Sequence, residues 1–523
     1  MGQAPTTLAG LLRERVQESP QKLAILFGER RVTYADLDRQ AERVASGLLR
    51  LGVKRGDGVA LLLPNCPEFL FAVFAAAKIG AVFVPINTAF TPAEARYVLD
   101  QSGASVLLTS QPFLPLVELI RDGMARLRHV VSLGSDMAPG VVSWEEFCLG
   151  PLVALGEGTV QPHDLASITY TSGTTDRPKG VMLTQFAYAF APQKRARALG
   201  WNETDRAMVV MPLFHVNALC HMVTALFSVG GSILLCERFS ASGFWDEVRE
   251  YRVTTSSLMR TIPQILLKLP ERPQDAATPL RLVVALLSPE DHLCFEERFN
   301  LTAIPSYSLT EDILSVLGPL DKAKRKLGSC GLPIAPEVHR LRIVDDSGRD
   351  CPAGALGEIV KQSPAVMKGY YKDPAATAEA LKDGWLYTGD LGYLDEDGFL
   401  FFVDRKKDMI KRGDENISAA EVEGVLNSHP LIAEAAVVGV PDPIRQEEVK
   451  ACIVLKHSAT GEGLPPEVVW AFCKERLAPF KVPRYLEYRK ELPKTPSAKI
   501  QKNLLHDKPA DGVLFDRLLR ECS

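Results

Sequence analysis

Short apolar runs of strand length alternate with longer stretches of helical period, and this alternation restricts the fold of the chain more than any other feature. Residues 33–51 (TYADLDRQAERVASGLLRL) carry apolar side chains at helical spacing and stop at Gly52, a residue suited to the left-handed turn that ends a helix. Residues 57–63 (DGVALLL) read as a short buried strand, 69–79 as a helix and 80–85 (GAVFVP) as a strand. Residues 99–108, 129–133 and 232–236 repeat the theme. Strands that alternate with helices pair in parallel and are covered on both faces. The apolar stretch 69–86 is broken by Lys78, Gly80 and Pro85, so it reads as a buried helix running into a strand and not as a membrane span.

The texture changes after Val344. Residues 354–361, 386–394 and 399–403 look like strands, with Asp397-Gly398 as a hairpin turn between the last two. The basic run Arg405-Lys406-Lys407 follows. Ser418 then opens a helix, with Glu421 three residues later completing the sequence of a capping box. Residues 435–440 and 449–455 read as strands of a smaller α+β unit. The fold class expected is α/β, with a large domain over 1–406 and a small one over 407–523.

A chain of 523 residues spans several domain-sized units and buries a core without staples. Lys and Arg number 60 against 64 Asp and Glu, a net charge of −4, which gives no electrostatic reason to expect nucleic acid or an anionic membrane as partner. The ten cysteines are dispersed without a CxxC spacing, and the N-terminus lacks a basic-then-apolar leader; both point to a cytoplasmic protein with reduced thiols.

Four segments can carry chemistry. In residues 168–184 (ITYTSGTTDRPKGVMLT) a strand feeds a loop with Thr171, Ser172, Gly173, Thr174, Thr175, Lys179 and Gly180. Hydroxyls, bare backbone N–H groups and one ammonium are what a polyphosphate needs. It is not a Walker A loop, because Pro178 precedes the lysine and Gly180 follows it. In residues 306–312 (SYSLTED), Tyr307 could stack on a base, Thr310 bond a phosphate and Glu311 hold magnesium. In residues 384–390 (GWLYTGD), Asp390 could accept from a ribose diol. In residues 493–502 (PKTPSAKIQK), Lys499 sits in a loop near the C-terminus.

In this order and at these separations the four segments resemble the AMP-forming adenylating superfamily, which contains acyl- and aryl-CoA synthetases, luciferases and the adenylation domains of peptide synthetases. The resemblance runs from Thr33-Tyr34 to Lys502 and is greatest to the small-acid and aryl-acid CoA ligases. It implies a large N-terminal domain of two helix-covered sheets plus a distorted β-barrel, and a small mobile C-terminal domain. It implies ATP and Mg²⁺, a small oxyacid substrate (most simply an aryl or short-chain carboxylate) and an acceptor such as CoA. Residues 171–180 would hold the β- and γ-phosphates, Tyr307 the adenine, Thr310 the α-phosphate region, Glu311 the Mg²⁺, and Asp390 the ribose with Arg405 beside it. Lys499 would neutralise charge developing during adenylation. Lys407 matches the hinge, about which rotation would exchange Lys499 for residues 411–416. His215, Val284, Ala285 and Ser308 would line the acyl pocket.

The chain departs from that pattern at several glycines. Asp176, Ser308, Asp414 and Ala498 stand where the family usually has glycine, and residues 283–287 (VVALL) replace a glycine-rich strand end. Gly413 and Asp414 fall where relatives thread the pantetheine arm. A carboxylate there adds bulk and charge, which makes CoA an unfavourable acceptor. A CoA-independent adenylating enzyme is the alternative, for example a diazotase coupling nitrite to an aryl amine. The non-enzymatic alternative is a nucleotide-binding pseudo-ligase.

Overall fold

The computed structural model describes residues 4–134, 138–154, 160–171, 178–258, 261–406, 408–412, 415–442, 445–456, 463–494, 500–506 and 514–518. Two seven-stranded sheets dominate the large domain. One runs in space through Thr302–Ile304, Leu282–Val284, Thr255–Ser257, Arg206–Val209, Ser232–Leu235, Leu23–Phe27 and Arg30–Thr33. The other runs through Val141–Ser143, His129–Leu133, Val106–Ser110, Gly58–Leu62, Val82–Pro85, Leu165–Thr171 and Lys179–Thr184. All neighbours are parallel except the last pair of each sheet, and most internal strands are buried apolar runs as the alternation predicts; Thr255–Ser257 is the exception, buried but hydroxyl-rich.

The helices between the sheets follow their local chemistry. Thr33 caps the helix Tyr34–Arg50, exchanging hydrogen bonds with Asp36 in a complete capping box. The helix Pro67–Ile79 starts on a proline, buries Phe69, Phe71 and Phe74, and stops at Gly80 in the left-handed conformation. Phe227 stacks on Phe74 and meets Tyr34 edge-on in the shared core, and the Tyr34 hydroxyl donates to the Gly231 carbonyl at 2.5 Å. Full burial of each such ring contributes about 1.5–3 kcal/mol.

Beyond residue 305 the chain turns antiparallel. Ser306–Tyr307, Val316–Leu317 and Leu332–Pro333 form a three-stranded sheet. Arg340–Val344, Gly357–Gln362, Trp385–Leu394, Leu381–Lys382 and Leu400–Arg405 form a five-stranded one. The two join where Gly331 bridges Leu400. Gly331 has φ +100°, and a Cβ there would lie 2.0 Å from the Leu317 carbonyl oxygen, so only glycine fits the crossing. The Asp397-Gly398 turn connects Trp385–Leu394 to Leu400–Arg405, as expected.

The small domain is a six-stranded mixed sheet of Met409–Arg412, Glu415–Ser418, Ile432–Asp442, Gln446–Leu455, Tyr485–Arg489 and Leu514–Asp516. The helices Ala419–Asn427 and Pro466–Lys474 bury Val422, Leu426, Val469 and Trp470 in a core with Ile410, Val449 and Leu486. The capping box expected at Ser418 is half formed. Ser418 accepts from the Glu421 N–H at 3.2 Å, but the Glu421 carboxylate turns to Lys481 at 2.7 Å, a stronger partner than a backbone amide. Asp404, on the strand Leu400–Arg405, also binds this helix start. Its Oδ2 receives the Ser418 hydroxyl and the Ala420 N–H, each at 2.9 Å.

Among the described residues no helix is long and apolar enough to cross a membrane, and the nine described cysteines are all free.

Candidate active site

Two hydrogen bonds gather the sequence-predicted residues. The Tyr307 hydroxyl donates to Asp390 Oδ2 at 2.8 Å, joining motifs 83 residues apart. The Tyr370 hydroxyl donates to Glu311 Oε1 at 3.0 Å, while Lys179 Nζ lies 5.1 Å from the centre of the Tyr370 ring. Tyr307 is thereby tied to Asp390, and Glu311 to the strand that carries Lys179.

Asp390 lies opposite Arg405 on neighbouring antiparallel strands, and Arg405 Nε is 3.0 Å from Asp390 Oδ1. The contact has ion-pair distance but not hydrogen-bond alignment, so buried Oδ1 has no hydrogen-bond partner among the described residues. Burial pushes the Asp390 carboxyl above the usual carboxylate range, and Arg405 and Tyr307 oppose that shift. Tyr307 titrates well above an ordinary phenol, through burial and then the Asp390 charge. Its ring stacks on Phe402 at 6.2 Å. Gly389, at φ +69°, turns the strand so that its N–H reaches Glu358 Oε1 at 3.1 Å.

The strand Lys179–Thr184 is covered by residues 366–371, whose backbone pairs with it through Tyr371 N to Gly180 O at 2.7 Å and Met182 N to Gly369 O at 3.1 Å. Burial and Glu311 push the Tyr370 phenol up as well. Thr171 faces Lys179 across the antiparallel pair. Thr310 and Ser308 are half-buried in the loop that follows Tyr307. No helix starts at Thr310; the chain bridges back to Val366 from Asp312 instead.

Val284 ends the strand Leu282–Val284, and Ala285 follows it with its N–H on the Ile304 carbonyl at 3.0 Å; both are buried. This places them at the carboxyl ends of a parallel sheet, where such sheets bind ligands. His215 precedes a short helical turn and packs against Phe214, ring centres 4.6 Å apart. Ser172, Gly173, Thr174, Thr175, Lys407, Gly413, Asp414 and Lys499 lie outside the described residues, as do Asp176 and Ala498. The flanks of the Lys499 segment are described: Lys494 and Ile500 form an antiparallel bridge.

Sequence reasoning missed Tyr370, Lys361, Asp312 and Asp404. Lys361 left no clear signal, since it follows only Ile359 and Val360 and precedes Gln362 and Ser363, whereas Asp312 stands directly after Glu311.

This fold and this set of side chains define a nucleotide-dependent ligase. The family model of AMP-binding enzymes matches residues 12–371, and that of the AMP-binding enzyme C-terminal domain matches 421–499. The chain belongs to the AMP-binding enzymes and is an AMP-forming ligase. It is 39% identical over 502 residues to the crotonobetaine/carnitine–CoA ligase of Salmonella typhi, covering 92% of this chain and 96% of that one. Among solved structures it resembles the anthranilate CoA ligase AuaEII in complex with anthranoyl-AMP (TM-score 0.87, 29% identity, 96% of this chain and 97% of that one). It also resembles the o-succinylbenzoate CoA synthetase MenE of Bacillus subtilis with ATP and a magnesium ion (TM-score 0.83, 32% identity, 95% and 99%). These relatives give no support to a diazotase-like branch.

Proposed function

We propose that the protein activates a small carboxylic acid, aryl or short-chain, as its adenylate with release of pyrophosphate and then transfers the acyl group to CoA. The observation that carries the reading is the Tyr307–Asp390 hydrogen bond beside a buried carboxylate oxygen without a hydrogen-bond partner among the described residues. Such an oxygen is an acceptor waiting for a donor, and a ribose hydroxyl fits it. The crotonobetaine/carnitine, anthranilate and o-succinylbenzoate relatives, all named as CoA ligases or synthetases, support the acid class and the acceptor.

The chain's own groups divide the work. Tyr307 lies against the base and Asp390, with Arg405, receives the ribose. Thr171, Ser172, Gly173, Thr174, Thr175 and Lys179 cradle the outer phosphates. Glu311 holds Mg²⁺ and Thr310 donates toward the α-phosphate. ATP with Mg²⁺ supplies the electrophilic phosphorus and the leaving pyrophosphate. Lys499 neutralises charge as it develops there. His215, Val284, Ala285 and Ser308 shape the acid pocket. Lys407 is the hinge of a small domain over 407–523, and Gly413 and Asp414 border the path of the thiol. Asp414 burdens that path, so CoA is used below the efficiency that glycine would permit.

The test is pyrophosphate and AMP release with Mg²⁺ across a panel of aryl and short-chain acids, with and without CoA, and thioester detection by mass spectrometry. Thioester formation with one acid class is expected, and Asp414→Gly is expected to raise kcat/KM for CoA severalfold. AMP release that ignores CoA in both proteins would overturn the assigned acceptor. AMP release with none of the acids would overturn the assigned substrate class.

A further inference from the structure

The loop that carries Ser308, Thr310 and Glu311 has no ladder of its own between Tyr307 and Val316; its backbone is met by an isolated bridge from Asp312 to Val366 and by the Met367 N–H on the Glu311 carbonyl at 2.8 Å, so side chains must complete its shape. Three buried side chains, Lys361, His221 and Arg195, and the half-buried Ser363 grip it from behind. Lys361 Nζ lies 3.0 Å from Asp312 Oδ2 and donates to the Leu314 carbonyl at 3.0 Å, and both Lys361 and Asp312 are fully buried. Asp312 Oδ1 receives the Ser363 hydroxyl at 2.8 Å and the Leu314 N–H at 3.0 Å. His221 Nε2 donates to the Ile313 carbonyl at 2.9 Å. Arg195 Nη1 donates to the Ser315 hydroxyl at 2.7 Å.

Lys361 also reaches forward. Its Nζ is 5.6 Å from the centre of the Tyr307 ring. It stands on the strand Gly357–Gln362, which pairs with the strand that carries Asp390. One ammonium therefore touches the backbone just after Glu311, the ring of Tyr307 and the sheet that presents Asp390. A buried ion pair is an expensive way to stabilise a core, since apolar residues of similar volume usually do as well or better. Its value is geometric: a carboxylate held by a cation, a hydroxyl and an amide has one orientation, and here that orientation dictates residues 312–314.

We propose that the Lys361–Asp312 pair is a positioning device for the nucleotide site: it sets the loop so that Thr310 and Glu311 face the Mg·ATP complex. The inference rests on the roles given above to Thr310 and Glu311. The chemistry it serves is binding of a metal–triphosphate through Thr310 and Glu311; Ser308, which shapes the acid pocket, lies farther along the loop from Asp312, beyond Thr310.

The neutral double variant Lys361→Met/Asp312→Asn removes both charges without orphaning either. It is expected to melt within a few degrees of wild type, to bind Mg·ATP at least about tenfold more weakly by calorimetry, and to lose at least about tenfold in kcat/KM for ATP while KM for the acid moves less than twofold. Amide exchange in residues 309–315 should quicken while the strand Gly357–Gln362 keeps its protection. A folded double variant with ATP affinity and exchange within twofold of wild type would overturn the proposal. If that variant does not fold, Ser363→Ala, which deletes one hydrogen bond to Asp312, is expected to raise KM for ATP about threefold at unchanged melting temperature; an unchanged KM would overturn it equally. Mg·ATP affinity is read without turnover, so a wild type that binds ATP but activates none of the acids would refute the substrate reading and leave the positioning role tested.

Discussion

Each domain buries a lysine–carboxylate pair, and the two pairs are anchored differently. In the small domain Lys450 and Glu487 lie 2.8 Å apart on neighbouring parallel strands, Gln446–Leu455 and Tyr485–Arg489. Glu487 also pairs with Arg489, and Lys450 donates to the Leu505 carbonyl at 2.9 Å. The strand ladder sets that spacing with or without the ions. In the large domain Asp312 belongs to a loop outside any strand ladder, held by one isolated bridge to Val366 and by buried side chains, the partners of Asp312 among them. The same attraction therefore reinforces a sheet in one place and defines a loop in the other. An ion pair is informative about function where the backbone around it lacks a reason of its own to be there.

The largest effect lies outside both pairs. Lys499→Ala should abolish adenylate formation, by about a thousandfold or more, while ATP binding and melting temperature stay near wild type. A rate within tenfold of wild type would remove the small domain from the chemistry. Next in size is Lys450→Met, which leaves Glu487 buried with one cation fewer and should destabilise the small domain by about 3 kcal/mol. In calorimetry the small-domain transition should fall while KM for ATP stays constant. A shift in that KM would erase the contrast between the two pairs.

The smallest effect is a pH slope. Burial, with Arg195 nearby, pushes the His221 imidazole down to about 3. The unfolded chain protonates near pH 6.5, so between there and about pH 3 it binds a proton that the folded chain refuses. The contribution of His221 is thus complete above pH 6.5 and is lost as pH falls, by at most about 1.4 kcal/mol per pH unit. His221→Gln should flatten the stability profile between pH 6.5 and 4.5, read by urea unfolding. A profile parallel to that of wild type would show that His221 is protonated in the fold.

Much of the fold was legible. The helix from Thr33, the strand at residues 58–62, the helix into Gly80 and the hairpin at Asp397-Gly398 all stand where their local signals put them, because capping groups, glycine and apolar period act within a few residues. Tyr307, Glu311, Lys179 and Asp390 were singled out by residue types that suit a nucleotide, and Arg405 by the family resemblance; the structure brings Tyr307, Asp390 and Arg405 together. Tyr370 was not, because its role exists only once residues 366–371 fold over the strand Lys179–Thr184. At Ser418 the local signal predicted a complete capping box, but only the Ser418 half formed, because Lys481, 60 residues from Glu421, took the Glu421 carboxylate.

The sequence alone determined the alternating sheets and the hairpin at Asp397-Gly398, which rest on periodicity and local turn chemistry, while the adenylating class followed from the family resemblance that the four motifs carry. Only the tertiary structure decided that Tyr307 would bond Asp390, that Tyr370 would stand between Lys179 and Glu311, and that Lys361 would be the partner of Asp312. Those contacts span 49 to 191 residues of chain. Their partners are chosen by how sheets stack and by the cost of burying a charge alone, which no window of sequence records.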